Sequence, residues 1–302
     1  MFEIIECKTA NEFLDILNPI NPLKRGFSDN EKEAFLYRGQ EDASFKLLPA
    51  CFRTYCDKKT FESIVSYKDL VLKEYDEFEH FIESSEYIEL VKEGIFKLKK
   101  DLLSENYRED LFSNPFLWPP KNIYDSLFLA QHHGAATRML DWSKDVLAAI
   151  YFACQPILWD KREDSIRLNG NIAVWCYLPN NANESIIVEN RPSNYDKNMI
   201  AQNGRYILIK QKITDTEKNF KIITLDDIED KAHLWKVTVP KEEVFTLLSY
   251  CDSYKINAET IYKGRGLDCV AMSYREKIIW KDRKEKIKSP YQNGLIDGLS
   301  EV

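Results

Sequence analysis

The sequence predicts an α+β fold, with a mixed, largely antiparallel sheet and a helical insertion, and two observations carry that expectation. Helical periodicity is concentrated in the first half of the chain, while the second half holds short aromatic and β-branched runs separated by turn residues. Neither a Gly-x-Gly-x-x-Gly nor a phosphate-loop signature occurs, so a doubly wound nucleotide-binding sheet has no support. The 302 residues allow one domain, read here as spanning 1–302, with the insertion at about 60–112 and a charged, frayed tail at about 281–302.

Phe13, Leu14 and Leu17 mark a short helix ended by Asn18 and Pro19. Residues 34–40, Ala-Phe-Leu-Tyr-Arg-Gly-Gln, are apolar without polar alternation, which predicts a central strand buried on both faces. Gly39 lets backbone or ligand come close. Arg38 offers a planar fork for a phosphate or a carboxylate, or else pairs with an acid such as Asp42 or Asp141. From 60 to 105 the recurrence of Ile64, Tyr67, Leu70, Val71, Tyr75, Phe78, Phe81 and Ile82 predicts helices with a packing stripe, interrupted at Gly94. Later strands are expected at 171–178, 185–188, 206–213, 220–224 and 234–239, a helix at 240–250, and a small apolar element at 266–272.

The stretch 131–152 organises the rest. A helix over 124–129 stops at Gly134, and a second, capped by Ser143 with Asp145 in its first turn, runs over 144–154 and ends before Pro156. The connection between them is dense in hydrogen-bonding groups: Thr137, Arg138, Asp141 and the Trp142 indole. Arg138 and Asp141 either brace the turn as a local ion pair over Trp142 or contact a ligand. His132 and His133 are adjacent and point in different directions, and Cys154 and Cys176 lack zinc spacing, so no metal site is expected.

Net charge of −7 argues against nonspecific coating of nucleic acid but leaves room for a local basic cleft. No apolar run reaches the roughly 20 residues of a membrane span, and the seven scattered cysteines suit reduced thiols, so a cytoplasmic protein without a membrane partner is expected.

Tyr37-Arg38-Gly39-Gln40, followed by Gln131-His132-His133-Gly134-x-x-Thr137-Arg138-Met139-Leu140-Asp141-Trp142-Ser143 and Ala148-x-x-x-Phe152-Ala153, resembles the FRG domain, whose Phe-Arg-Gly motif here reads Tyr-Arg-Gly. Gln202-x-Gly204 resembles that family's third block, with Arg205 between the glycine and Tyr206. More distantly, the plan is similar to that of mono-ADP-ribosyltransferases. That resemblance implies an ADP-ribosyltransferase-like fold and an NAD-consuming enzyme that modifies a protein or nucleic acid, as a toxin or defence effector. It implies Arg38, with Gly39, Gln40, Gln131, Thr137, Arg138 and Ser143, as the NAD-binding set. Glu259, His133 and Asp141 are then the catalytic candidates, with Asp268 competing for the place of the late acid. The alternative is a non-catalytic module in which Arg38, His133 and Arg138 hold a nucleotide or phosphorylated partner. A hydrolase with His132 or His133 as base and Ser143 or a cysteine as nucleophile lacks the usual signatures.

Overall fold

The computed structural model describes residues 2–18, 34–57, 60, 62–84, 105–132, 134–179, 183–189, 197–211 and 220–293. Its strands are β1 (Glu3–Glu6), β2 (Leu36–Gln40), β3 (Met139–Ser143), β4 (Asn171–Tyr177), β5 (Ile186–Glu189), β6 (Gly204–Ile209) and β7 (Leu234–Pro240). They form one seven-stranded sheet ordered β1-β7-β4-β2-β3-β6-β5, antiparallel except for the parallel β1–β7 pair. The helices that matter here are α1 (Ala10–Leu17), α2 (Tyr67–Ser84), α3 (Glu105–Ser113), α4 (Tyr124–His132), α5 (Val146–Trp159), α6 (Val244–Ser253), α7 (Ala258–Ile261) and α8 (Leu267–Asn293). The α+β expectation and the central place of β2 hold: Phe35 and Leu36 are buried and β2 is the fourth strand of seven.

Side-chain alternation along the strands explains how the layers stack. Tyr37 of β2 and Ile172, Val174 and Cys176 of β4 pack under α1, α5 and α6. On the same sheet face, Met139 of β3 and Tyr206 and Leu208 of β6 pack under α2 and α4. The opposite face carries Leu36, Leu140, Trp142, Trp175 and Tyr177, covered by Leu47, Leu225 and neighbouring segments. Two helical blocks therefore share one face and leave a gap above the β2–β3 boundary. That boundary is weakly zipped, with Tyr37 and Ser143 its single registered pair, against five pairs between β2 and β4.

Several local expectations are corrected. The polar connection after α4 contains a strand, β3, whose buried Leu140 and Trp142 flank an exposed Asp141. Asp145, not Ser143, caps α5 by accepting from the Leu147 N–H, while Ser143 accepts from the Asp145 N–H at 2.8 Å. The helix passes through Pro156 to Trp159, because tertiary packing of its apolar length outweighs one lost backbone bond. Residues 62–66 are not helical, and Ile64 is 55% exposed rather than on the packing stripe. Residues 220–224 form no ladder strand; Lys221 makes one bridge with Glu62, and Thr224 caps a helical turn. The element expected at 266–272 is the start of α8, which continues through the expected frayed tail as far as Asn293. Pro19, Gly94 and His133 lie outside the described residues.

Candidate functional site

The gap over the β2–β3 boundary is a cavity of about 330 Å³ lined by Tyr37, Arg38, Gly39, Gln131, Asp141, Trp142, Ser143, Ala149, Phe152, Gln202 and Tyr262. Gly39 is what lets α5 lie so close to β2: an added Cβ would meet the Ala149 carbonyl oxygen and come within 2.6 Å of the Ala153 nitrogen. α4 ends in a Schellman-type turn in which Ala135 N donates to the Ala130 carbonyl at 3.0 Å and Gly134 adopts φ 97°. That stop brings Gln131 to the rim.

A short chain of hydrogen bonds then fixes the carboxylate. Thr137 Oγ1 accepts from the Met139 N–H and donates to Gln131 Oε1, and Gln131 Nε2 donates to Asp141 Oδ1. Among the described residues lining the cavity, Asp141 supplies the one carboxylate. Arg38 Nη1 donates to the backbone carbonyl of Asp141 at 2.6 Å, replacing a ladder bond where the strands part. Its Nε is shielded from solvent and has no partner among the described residues. Burial pushes the Arg38 guanidinium below its usual value; nearby Asp141 opposes that shift and Arg53 adds to it. Arginine stays charged under such a shift, so a cation sits in the cleft without a side-chain ion pair among the described residues.

The remaining walls are aromatic. Phe152 and Tyr262 stand edge to face with ring centres 6.2 Å apart. Burial, with the nearby Glu276 charge adding and Arg265 opposing, pushes the Tyr262 hydroxyl up to about 12. Gln202 Nε2 donates to the Ile261 carbonyl at 3.2 Å, tying the segment before β6 to α7 beside Tyr262. Trp142 is buried, and its indole N–H has no partner among the described residues.

The structure thus brings together Arg38, Gly39, Gln131, Asp141 and Ser143, with Thr137 behind Gln131. Ser143 Oγ is already engaged, donating to the Gln202 carbonyl at 2.6 Å. Gln40 is not among the residues lining this cavity, and its amide is engaged: it accepts from the Trp175 indole at 2.7 Å and donates to the Lys46 carbonyl at 3.1 Å. Arg138 lies elsewhere, in the core under α2. Its Nε bonds Glu74 at 2.6 Å, with side chains 3% and 1% exposed, and its Nη1 reaches Tyr67 Oη and the Trp118 carbonyl. Burial works against the Arg138 charge, but Glu74, with Tyr67 and Cys51, more than offsets it and holds the group above its ordinary value. Of the two readings of Arg138 and Asp141, the local brace is therefore not made, and Arg138 is not among the residues lining the cavity. Glu259 and Asp268 are exposed, in the first turns of α7 and α8, and neither lines the cavity.

Sequence reading missed Glu74 and Tyr262 as positioned groups and found Gln202 only as part of the Gln202-x-Gly204 block. Glu74 had a signal: it falls on the apolar stripe, between Leu70 and Phe78, where an acid needs a buried partner. Among the described residues no group of side chains could hold a metal ion, all seven cysteines are buried free thiols, and no helix is long and apolar enough to cross a membrane.

These features define a class: an α+β protein in which a cation and a carboxylate, held apart by backbone and amide contacts, face one aromatic-walled cleft. Residues 33–162 match the family model of the FRG domain. The match contains Arg38, Gln131, Asp141 and Phe152, whereas Gln202 and Tyr262 lie beyond it. No curated protein and no solved structure matches the chain significantly.

Proposed function

We propose that the cleft binds NAD and supports loss of nicotinamide, with Arg38 on a phosphate and Asp141 beside the ribosyl carbon. One observation carries this reading: Arg38 and Asp141 share a cavity yet make no side-chain ion pair with each other, because the guanidinium bonds the Asp141 backbone while the carboxylate is held by Gln131. The unpartnered Nε of Arg38 supplies a directed donor for a phosphate oxygen. Phe152 and Tyr262 offer flat apolar faces to a ring.

In the reaction, the bond between the nicotinamide nitrogen and the ribose breaks and its electron pair leaves with neutral nicotinamide. The positive charge left on the ribosyl carbon is what a fixed carboxylate stabilises in the transition state. Water or an acceptor nucleophile then bonds to that carbon and releases a proton. Asp141 takes this role here, since Glu259 and Asp268 stand outside the cleft. Calorimetric titration with NAD tests the binding step: Arg38→Gln should weaken it about ten-fold to a hundred-fold. Equal affinity in wild type and Arg38→Gln would remove Arg38 from the site. Should NAD bind without release of nicotinamide under any acceptor, the cleft serves as a nucleotide-binding module instead.

A further inference from the structure

Beside the first cavity lies a second of about 630 Å³, and the two share Arg38, Gly39 and Phe152. Its other lining residues include the cations Lys46 and Arg53, the carboxylates Glu41 and Asp57, and Gln40, Phe45 and Pro156. Two of its cations are accounted for differently. Lys46 pairs with Asp227 at 3.1 Å, whereas Arg53 makes one bond, from Nε to the Leu48 carbonyl at 3.1 Å, and no ion pair among the described residues. Asp57, the nearest acid in sequence, accepts from Thr60 at 2.8 Å. Arg38 and Arg53 line the same cavity, the Arg53 charge disfavours that of Arg38, and among the described residues neither makes an ion pair with a carboxylate. Two guanidinium groups at one cavity that are not ion-paired to its carboxylates suit an anion with more than one charge.

We infer that the second cavity receives the distal nucleotide of a dinucleotide, its pyrophosphate spanning from Arg38 to Arg53 with the outer ring against Phe45. The inference rests on the NAD reading and adds to it Arg53 and the ligand's length. Phe45 is 49% exposed, a large apolar ring left open beside the cavity. Pro156 has no N–H, so the usual helix donor to the Phe152 carbonyl is missing beside this cavity, a place where a ribose hydroxyl or ring amine of the ligand would donate.

The test is calorimetric titration of the full chain with NAD and with nicotinamide mononucleotide, which carries one phosphate. Arg53→Gln is expected to weaken NAD about ten-fold while leaving the mononucleotide within about two-fold, and Arg38→Gln to weaken both. Arg53 is exposed, and unchanged melting temperature of the variant confirms that the fold is intact. If Arg53→Gln leaves NAD affinity unchanged while Arg38→Gln lowers it, the distal subsite is overturned and the first cavity stands. An equal loss for both ligands in Arg53→Gln also overturns it, because Arg53 would then act on the proximal half. Wild-type protein that binds neither ligand brings down the NAD reading itself, and this inference with it.

Discussion

Arg38 is held at a seam, where β2 and β3 have ceased to pair and a side-chain donor takes over from the ladder. Because its directionality is what matters, Arg38→Lys should recover little of the NAD affinity lost in Arg38→Gln: a lysine offers a point charge without the fork. Titration of the lysine variant checks this, and near wild-type affinity would mean that charge alone suffices. The adjoining Gly39 has the opposite task, having no side chain where α5 crosses. Gly39→Ala should cost about 1–3 kcal/mol of stability or more, read as a lowered urea midpoint, because the new methyl meets backbone atoms of Ala149 and Ala153 that cannot rotate away. Both residues were legible in the sequence as a Tyr-Arg-Gly step ending an apolar strand. What was not legible was which acid would face Arg38, since that depends on strand register.

At the level of elements, β3 shows why the central block was only half readable. Its five residues alternate, with Leu140 and Trp142 buried on one face and Asp141 on the other, but the flanking Thr137 and Arg138 gave the segment the composition of a loop. The two charges in that block then separate. Asp141 faces the cleft, and Arg138 turns into the core to meet Glu74 of α2. This pair joins α2 to the start of β3, with the Arg138 N–H also donating to Glu74 at 2.8 Å and the Trp118 indole at 3.0 Å. Removing one partner strands a buried charge, so Glu74→Ala should destabilise the fold by about 3–5 kcal/mol in denaturant titration. A loss below about 1 kcal/mol, the scale of a solvent-exposed pair, would contradict the buried assignment.

For the whole molecule, the cleft belongs to both halves of the chain: β2, α4, β3 and α5 supply its floor, and Gln202 and Tyr262 close it from the second half. Contacts at that range are invisible to periodicity, and Glu259 and Asp268, the late acids that the resemblance implies, lie on the surface. Behind Tyr262, buried Glu276 of α8 accepts from Tyr151 Oη at 2.8 Å. Burial raises the Glu276 carboxyl above its ordinary 4.5, against hydrogen bonds from Tyr151, Trp159, Gln155 and the Ala258 backbone. The unfolded chain therefore loses this proton first as pH rises, so the stability it contributes is full below the unfolded value and is lost as pH climbs through the folded one. Glu276→Gln should accordingly gain stability relative to wild type as pH rises above the ordinary carboxyl range in paired urea titrations; a variant that loses stability relative to wild type as pH rises would reverse the assignment. The account as a whole turns on Asp141 as the carboxylate of an NAD-cleaving cleft, and the direct measurement is chromatographic detection of nicotinamide released from NAD by wild type and Asp141→Asn. The account predicts release by wild type and a fall in turnover of at least about ten-fold in the variant with NAD affinity retained, because the carboxylate acts mainly in the transition state. Release that is undiminished in Asp141→Asn would contradict it.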